Sequence, residues 1–219
     1  LTVPGQNAPR LQKLGNHQFP VTTNAARAQL FVNQGVMLAY GFNHAEATRS
    51  FQEAARLDPD CAMAYWGMAL VLGPNINMPM APENEARAFE LIQTAIALEE
   101  NVSERERGYI AALARRYTAE INPDRKALDR AYAAAMRQLS ERYPNDLDAA
   151  TLYAEAVMDL RPWNYWTRDL QPYPETETVI AVLESVLGRN PNHPGAIHLY
   201  IHTVELGRPE LAEDGAERL

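Results

Sequence analysis

Apolar side chains recur at helical spacing along most of the chain, and proline, glycine and asparagine interrupt the pattern. The first uninterrupted stretch predicts a helix that is capped by Thr23 or Asn24 and ends near Tyr40. A second helix is predicted over 43–57, because Pro59 prevents its continuation. The connection between them is short, so the two helices are expected to form a hairpin.

This first hairpin carries small and large residues in a regular order on its facing sides. Ala47, Phe51 and Ala54 follow one another at i, i+4 and i+7, and Gly35 of the first helix leaves room for close approach. The segment FVNQGVMLAYGFNHAEATRSFQEAARLDP thereby resembles the 34-residue tetratricopeptide repeat (TPR).

The same order recurs, with insertions, along the rest of the chain. Ser103 followed by Glu106 predicts a capping box in the third unit, and Pro194 opens the fifth. We therefore predict an irregular segment over 1–22 and an all-α, TPR-like α-solenoid of about four to five antiparallel helical hairpins over 23–219. The last segment, PELAEDGAERL, is a weak polar cap, so we expect a further chain segment or an oligomer partner at the C-terminal end.

Three longer segments extend the resemblance to nearly the whole chain. FNHAEATRSFQEAARLDPDCAMAYWGMAL, GPNIN and NPNHPGAIHLYIHTVE look like parts of a family of bacterial TPR proteins without an established activity. The resemblance implies a concave groove, lined by the first helix of each hairpin, that holds a protein or peptide. It also implies a metal-associated surface at HPGAIHLYIH, with another histidine-rich helix further along the chains of that family.

The amino-acid composition limits which binding partners and which cellular compartment are expected for this protein. A net charge of −8 without any run of lysine or arginine argues against nucleic acid. No stretch is long and apolar enough to span a membrane. The single cysteine, Cys61, excludes an internal disulfide and a thiolate zinc cluster, and its context predicts a small buried side chain. If the missing N-terminal methionine reflects processing, we expect an exported bacterial protein, periplasmic or extracellular.

The fifth unit has the clearest metal-ligand spacing. His198, His202 and Glu205 fall at i, i+4 and i+7, so they lie on one stripe of a helix. Two imidazoles one turn apart can chelate a divalent ion, and the carboxylate can add a third ligand. Zinc, copper and iron suit this donor set. The segment is not a zincin motif, because Leu199 stands where the glutamate base would be.

The fourth unit offers carboxylates for the same site. By resemblance to TPR arrays, Thr151, Glu155 and Asp159 occupy the neighbouring groove-facing stripe, so the two acids would face the histidine pair. His193, at the start of the fifth unit, is either a helix cap or an extra ligand. The alternative is a hydrogen-bonded histidine pair with acidic counter-charges and no metal.

Two long insertions add aromatic and amide groups. PWNYWTRDLQPY carries Trp163 and Trp166, and GPNINMPM carries Asn75 and Asn77. Loops of this length are more often functional than the turns they replace, so we expect these four side chains, with Thr151, to line a ligand groove. Tryptophans that only seal the opposite side are the alternative.

Two functions follow. The first is a TPR-type binding or scaffolding protein whose groove carries a divalent-metal or copper site at His198 and His202. The second is a metal-dependent enzyme, an oxidoreductase or a hydrolase, that uses the same site. No residue is singled out as catalytic by the sequence.

Overall fold

The computed structural model describes residues 7–218, and these form ten α-helices and no β-strand. The helices are α1 (Ala26–Tyr40), α2 (His44–Leu57), α3 (Ala62–Leu70), α4 (Pro82–Ala97), α5 (Glu104–Ala114), α6 (Arg125–Arg142), α7 (Leu147–Met158), α8 (Pro174–Arg189), α9 (Pro194–Val204) and α10 (Glu213–Ala216). The prediction of an all-α fold is confirmed. None of these helices combines the length and apolarity needed to cross a bilayer.

The chain divides into two compact units. Unit 1 runs to Pro74 and continues over Met80–Pro123, so it contains α1 to α5. Unit 2 contains Asn75–Pro79 and the chain from Asp124 onward, with α6 to α10. The boundary falls between α5 and α6, which the repeat pattern groups in one hairpin.

Unit 1 is built around a close approach of three helices. α2 packs against both α1 and α3, and α4 packs against α3. The fully buried Phe51 ring of α2 lies against Gly35 of α1, where an added Cβ would come within 2.6 Å of it. A Cβ on Gly67 of α3 would come even closer to the same ring. Glycine at both positions is therefore what allows the helices to meet, as the sequence predicts for Gly35.

The helix ends follow local signals in most places. Asn43 caps α2 by accepting from the Glu46 amide, and Ser103 forms a complete capping box with Glu106. The predicted cap of α1 is wrong, because Ala25 occupies that position without a side-chain bond. The side chain of Thr23 and the amide of Asn24 instead donate to Asp58.

Unit 2 is organised around α7, which packs against α6, α8 and α9. The connection from α7 to α8 is held in place by Trp166, whose Nε1 donates to the Thr203 carbonyl of α9 at 2.8 Å. Thr176 of α8 donates to the carbonyl of Tyr165 at 2.6 Å. The insertion is therefore an anchored segment that positions Trp163 beside α9.

Candidate functional site

The two histidines of α9 lie in direct contact. Nε2 of His198 and Nε2 of His202 are 3.0 Å apart, with the ring centroids separated by 4.7 Å. Both side chains are half-buried, so the pair is reachable from solvent. Two nitrogens bound to one tetrahedral ion at ordinary zinc–nitrogen distances would be about 3.3 Å apart. The observed separation is close to that of a chelating pair.

Glu205 defines the hydrogen positions of this pair. Its Oε1 lies 3.0 Å from Nδ1 of His202, on the ring side opposite His198. An ionised carboxylate only accepts, so we assign the ring hydrogen of His202 to Nδ1. The neutral ring then has its lone pair on Nε2, where it accepts from Nε2–H of His198. Glu205 therefore orients His202 as the outer carboxylate does in a carboxylate–histidine–metal arrangement.

Trp163 packs against the same ring. Its indole meets the His202 imidazole edge-to-face, with centroids 5.1 Å apart, while 49% of its surface stays exposed. Its φ is +60°, a left-handed conformation that costs a side-chain-bearing residue roughly 1–2 kcal/mol. The anchored insertion thus holds a strained residue next to the histidine pair, as often occurs at functional sites.

Glu155 of α7 and Asp159 at its C-terminal end act electrostatically on a different group, the phenol of Tyr165. Tyr165 is buried, and burial raises the pKa of its phenol, with Asp159, Glu155 and Glu205 adding in that order. Among the described residues of unit 2, no three imidazole, carboxylate or thiol ligand atoms lie within 4.8 Å of one another. Glu155 and Asp159 are consequently not assembled with the histidine pair into a preformed metal shell.

His193 performs the capping role that the sequence offers as one of two alternatives. Its Nδ1 accepts from the Ala196 amide at 3.2 Å at the start of α9. Its Nε2 lies 3.3 Å from Oδ1 of Asp148 in the first turn of α7, and both side chains are buried. The two residue types can also ligate metals, so this pair is a second place in unit 2 where ligand atoms meet.

The remaining predicted groove residues differ in their access to solvent. Thr151 is fully buried and donates to the Leu147 carbonyl at 2.8 Å. Trp166 is also buried. Asn75 is buried and closes a turn by accepting from the Asn77 amide at 2.9 Å, whereas Asn77 itself is exposed. Of the five, Trp163 contacts the histidine pair, through the ring of His202.

Asp148 and Tyr165 are two residues of unit 2 whose partners the sequence does not reveal. Asp148 follows the capping residue Asp146 in the first turn of α7, where an acid is common for helix-dipole reasons alone. Tyr165 stands among other aromatic residues of the insertion. The residues that flank these two positions in the sequence do not indicate which residue of another helix each of them contacts.

Comparison with known proteins adds no family assignment. No protein-family model matches the chain, and no curated protein is significantly similar to it. The TPR resemblance therefore stays a prediction from the sequence.

Proposed function

We propose that this chain is a binding protein that holds a divalent transition metal ion through Nε2 of His198 and Nε2 of His202. TPR-type hairpins that hold a protein partner are part of the proposal, with the sequence resemblance as their support. The observation that carries the metal site is the 3.0 Å separation of the two nitrogens. The hydrogen bond from His202 to Glu205 supports it further, because such an outer carboxylate raises ligand basicity.

Metal binding requires a change in the position of one ring hydrogen of the histidine pair. His202 already presents a lone pair on Nε2, whereas the neutral ring of His198 must carry its hydrogen on Nδ1 in place of Nε2. The two Nε2 atoms would then hold the ion. The protein would supply two ligands, and water or an external ligand would supply the remaining ones. Copper(II) should bind more tightly than zinc, and zinc more tightly than iron(II).

Isothermal titration of metal-stripped protein with Zn²⁺ and Cu²⁺ tests the site. We expect one ion per chain for the wild type and no binding at this site when His198→Ala and His202→Ala are combined. His44→Ala is a matched control, because His44 is a half-buried helical histidine of unit 1. Wild-type protein that takes up neither ion, or a double variant that binds as the wild type does, would overturn the proposal.

The second candidate function is metal-dependent catalysis at the same pair. The observation that favours it is access: Trp163 is 49% exposed and the Glu205 side chain is 43% exposed, so solvent reaches the surroundings of the histidine pair. Catalytic metal sites keep an open coordination position. Zinc-loaded protein assayed with an activated ester, and copper-loaded protein assayed with a phenol and peroxide, would test this. Turnover equal to that of the double variant with the same metal excludes catalysis of these two reactions.

A further inference from the structure

Unit 2 contains a groove of about 570 Å³ that is separate from the histidine pair. Its walls are α6 and α8, and α7 forms its floor; we call it the α6–α8 groove. The floor presents Leu147, Ala150 and Tyr153, and the α8 wall presents Ala181 and Val182. The volume lies in the range of ligand-binding clefts, and the lining is largely apolar with small side chains.

The net charge of the groove lining is positive, opposite in sign to that of the whole chain. Its charged lining residues are Arg137, Glu141 and Arg189, whereas the protein carries a net charge of −8. Arg137 is paired with Glu141 at 2.8 Å. Arg189 donates to the carbonyl of Pro144 and to Oδ1 of Asn145, both neutral acceptors.

Arg189 therefore presents a positive charge, oriented by two hydrogen bonds, at one end of the groove. No carboxylate of the described residues forms an ion pair with it, and its guanidinium is oriented by two hydrogen bonds. A guanidinium oriented in advance binds a carboxylate at lower entropic cost than a free side chain does. The complementary ligand group is thus an anion next to apolar side chains.

The length of the groove favours a peptide over a small organic acid. Along α8 the lining runs from Thr178 to Arg189, which is about 16 Å at the rise of an α-helix. An extended segment of about five residues spans that distance. A small organic acid would occupy only a fraction of it.

We propose that the α6–α8 groove docks a short peptide segment with small apolar side chains over α7 and a carboxylate on Arg189. The two walls of the groove are second helices of the predicted hairpins, so it differs from the surface of first helices alone that the TPR resemblance implies. It also stands independently of metal binding, since no lining residue of the groove belongs to the histidine pair.

Fluorescence anisotropy with two peptide pools tests the docking. Both pools are fluorescein-labelled, C-terminally amidated hexapeptides with Ala, Val or Leu at the first five positions, and the last position is Glu in one pool and Gln in the other. We expect the Glu pool to bind the wild type about tenfold more tightly than the Gln pool, as a charge-assisted hydrogen bond requires. Arg189→Gln should remove this difference, and Ala181→Trp should block both pools by filling the groove.

Arg130→Gln is the matched control for Arg189→Gln. Arg130 is an exposed arginine of α6 that does not line the groove. Circular dichroism of each variant establishes that it is folded. Absence of binding of the Glu pool to wild type up to about 1 mM overturns the proposal, as does equal binding of the two pools. A wild-type dimer in sedimentation that Ala181→Trp dissociates would assign the groove to a second copy of the chain and also overturn it.

Discussion

At His202, each ring nitrogen has a neighbour with a different role. Nε2 faces His198 at 3.0 Å, and Nδ1 faces Glu205 at 3.0 Å. The carboxylate that the sequence suggests as a third ligand is therefore placed to set the tautomer of the second ligand. Spacing along a helix predicts which side chains share a stripe, but side-chain rotamers decide which atoms of those side chains meet.

Glu205→Ala should weaken zinc binding by about 10–100-fold without changing its stoichiometry, because an outer-shell partner of a ligating histidine is lost. Glu205→Gln should give an intermediate affinity, since an amide oxygen still accepts from Nδ1–H but carries no charge. Titration calorimetry measures both. Glu213→Ala, an exposed acid of α10, should bind as the wild type does. Loss of one full equivalent of zinc in Glu205→Gln would indicate that Glu205 is a ligand.

Cys61 gives a second prediction for a single side chain. It is fully buried, as predicted, and burial raises the pKa of its thiol to about 11. An exposed thiol has a pKa near 8.5, so above about pH 9 the unfolded chain loses a proton that the folded chain keeps. The free energy of unfolding should therefore fall as the pH rises from about 9 to 11, by up to about 3 kcal/mol from this group.

Urea unfolding of wild type and Cys61→Ala at several pH values between about 8 and 11 isolates this contribution, because the tyrosines are common to both proteins. The decline should be shallower in the variant. Parallel declines in the two proteins would show that the thiol does not titrate in this way.

On the scale of helices, unit 1 depends on one ring between two glycines. Phe51 of α2 occupies the space that a Cβ on Gly35 or Gly67 would need. The i, i+4, i+7 order of α2 predicts this contact for Gly35, because the two helices follow one another in sequence. The contact with Gly67 depends on how α3 packs against α2. The spacing of residues within one hairpin does not specify the packing of the next helix.

Gly35→Ala and Gly67→Ala should each destabilise unit 1 by about 1–3 kcal/mol, because overpacking outweighs the gain of roughly 1 kcal/mol in helix propensity. Gly188→Ala is the matched control. A Cβ on Gly188, in the last turn of α8, would meet nothing within 4 Å, so this variant should be neutral or more stable by about 0.5 kcal/mol. Urea unfolding followed by circular dichroism measures all three. Equal effects at positions 35 and 188 would contradict the packing argument.

For the whole molecule, the sequence predicts the helices better than their grouping. Local signals place the capping box at Ser103 and the start of α9 at Pro194, and the structure has both. The division between α5 and α6, the Asp148–His193 contact and the α6–α8 groove all depend on packing between helices. Such contacts do not produce a periodic pattern in the sequence, and the repeat pattern therefore does not predict them.

Metal binding should protect unit 2 selectively from hydrogen exchange. At a free zinc concentration about 100 times the dissociation constant, the bound state is stabilised by about 2.7 kcal/mol. Amides of α9 whose exchange requires separation of His198 from His202 should therefore slow by about 100-fold. Amides of α1, in unit 1, provide the internal reference. Mass spectrometry that shows no slowing in α9 would contradict zinc binding at this helix.

Trp163 gives the protein an optical property that the other two indoles lack. Trp66 and Trp166 are 1% and 6% exposed, so their emission should be blue-shifted, whereas Trp163 at 49% should dominate the red edge of the spectrum. Its ring centroid lies 5.1 Å from that of His202. A paramagnetic ion held at the histidine pair would quench that red edge first. The colour of the residual fluorescence thus reports occupancy of the site without any label.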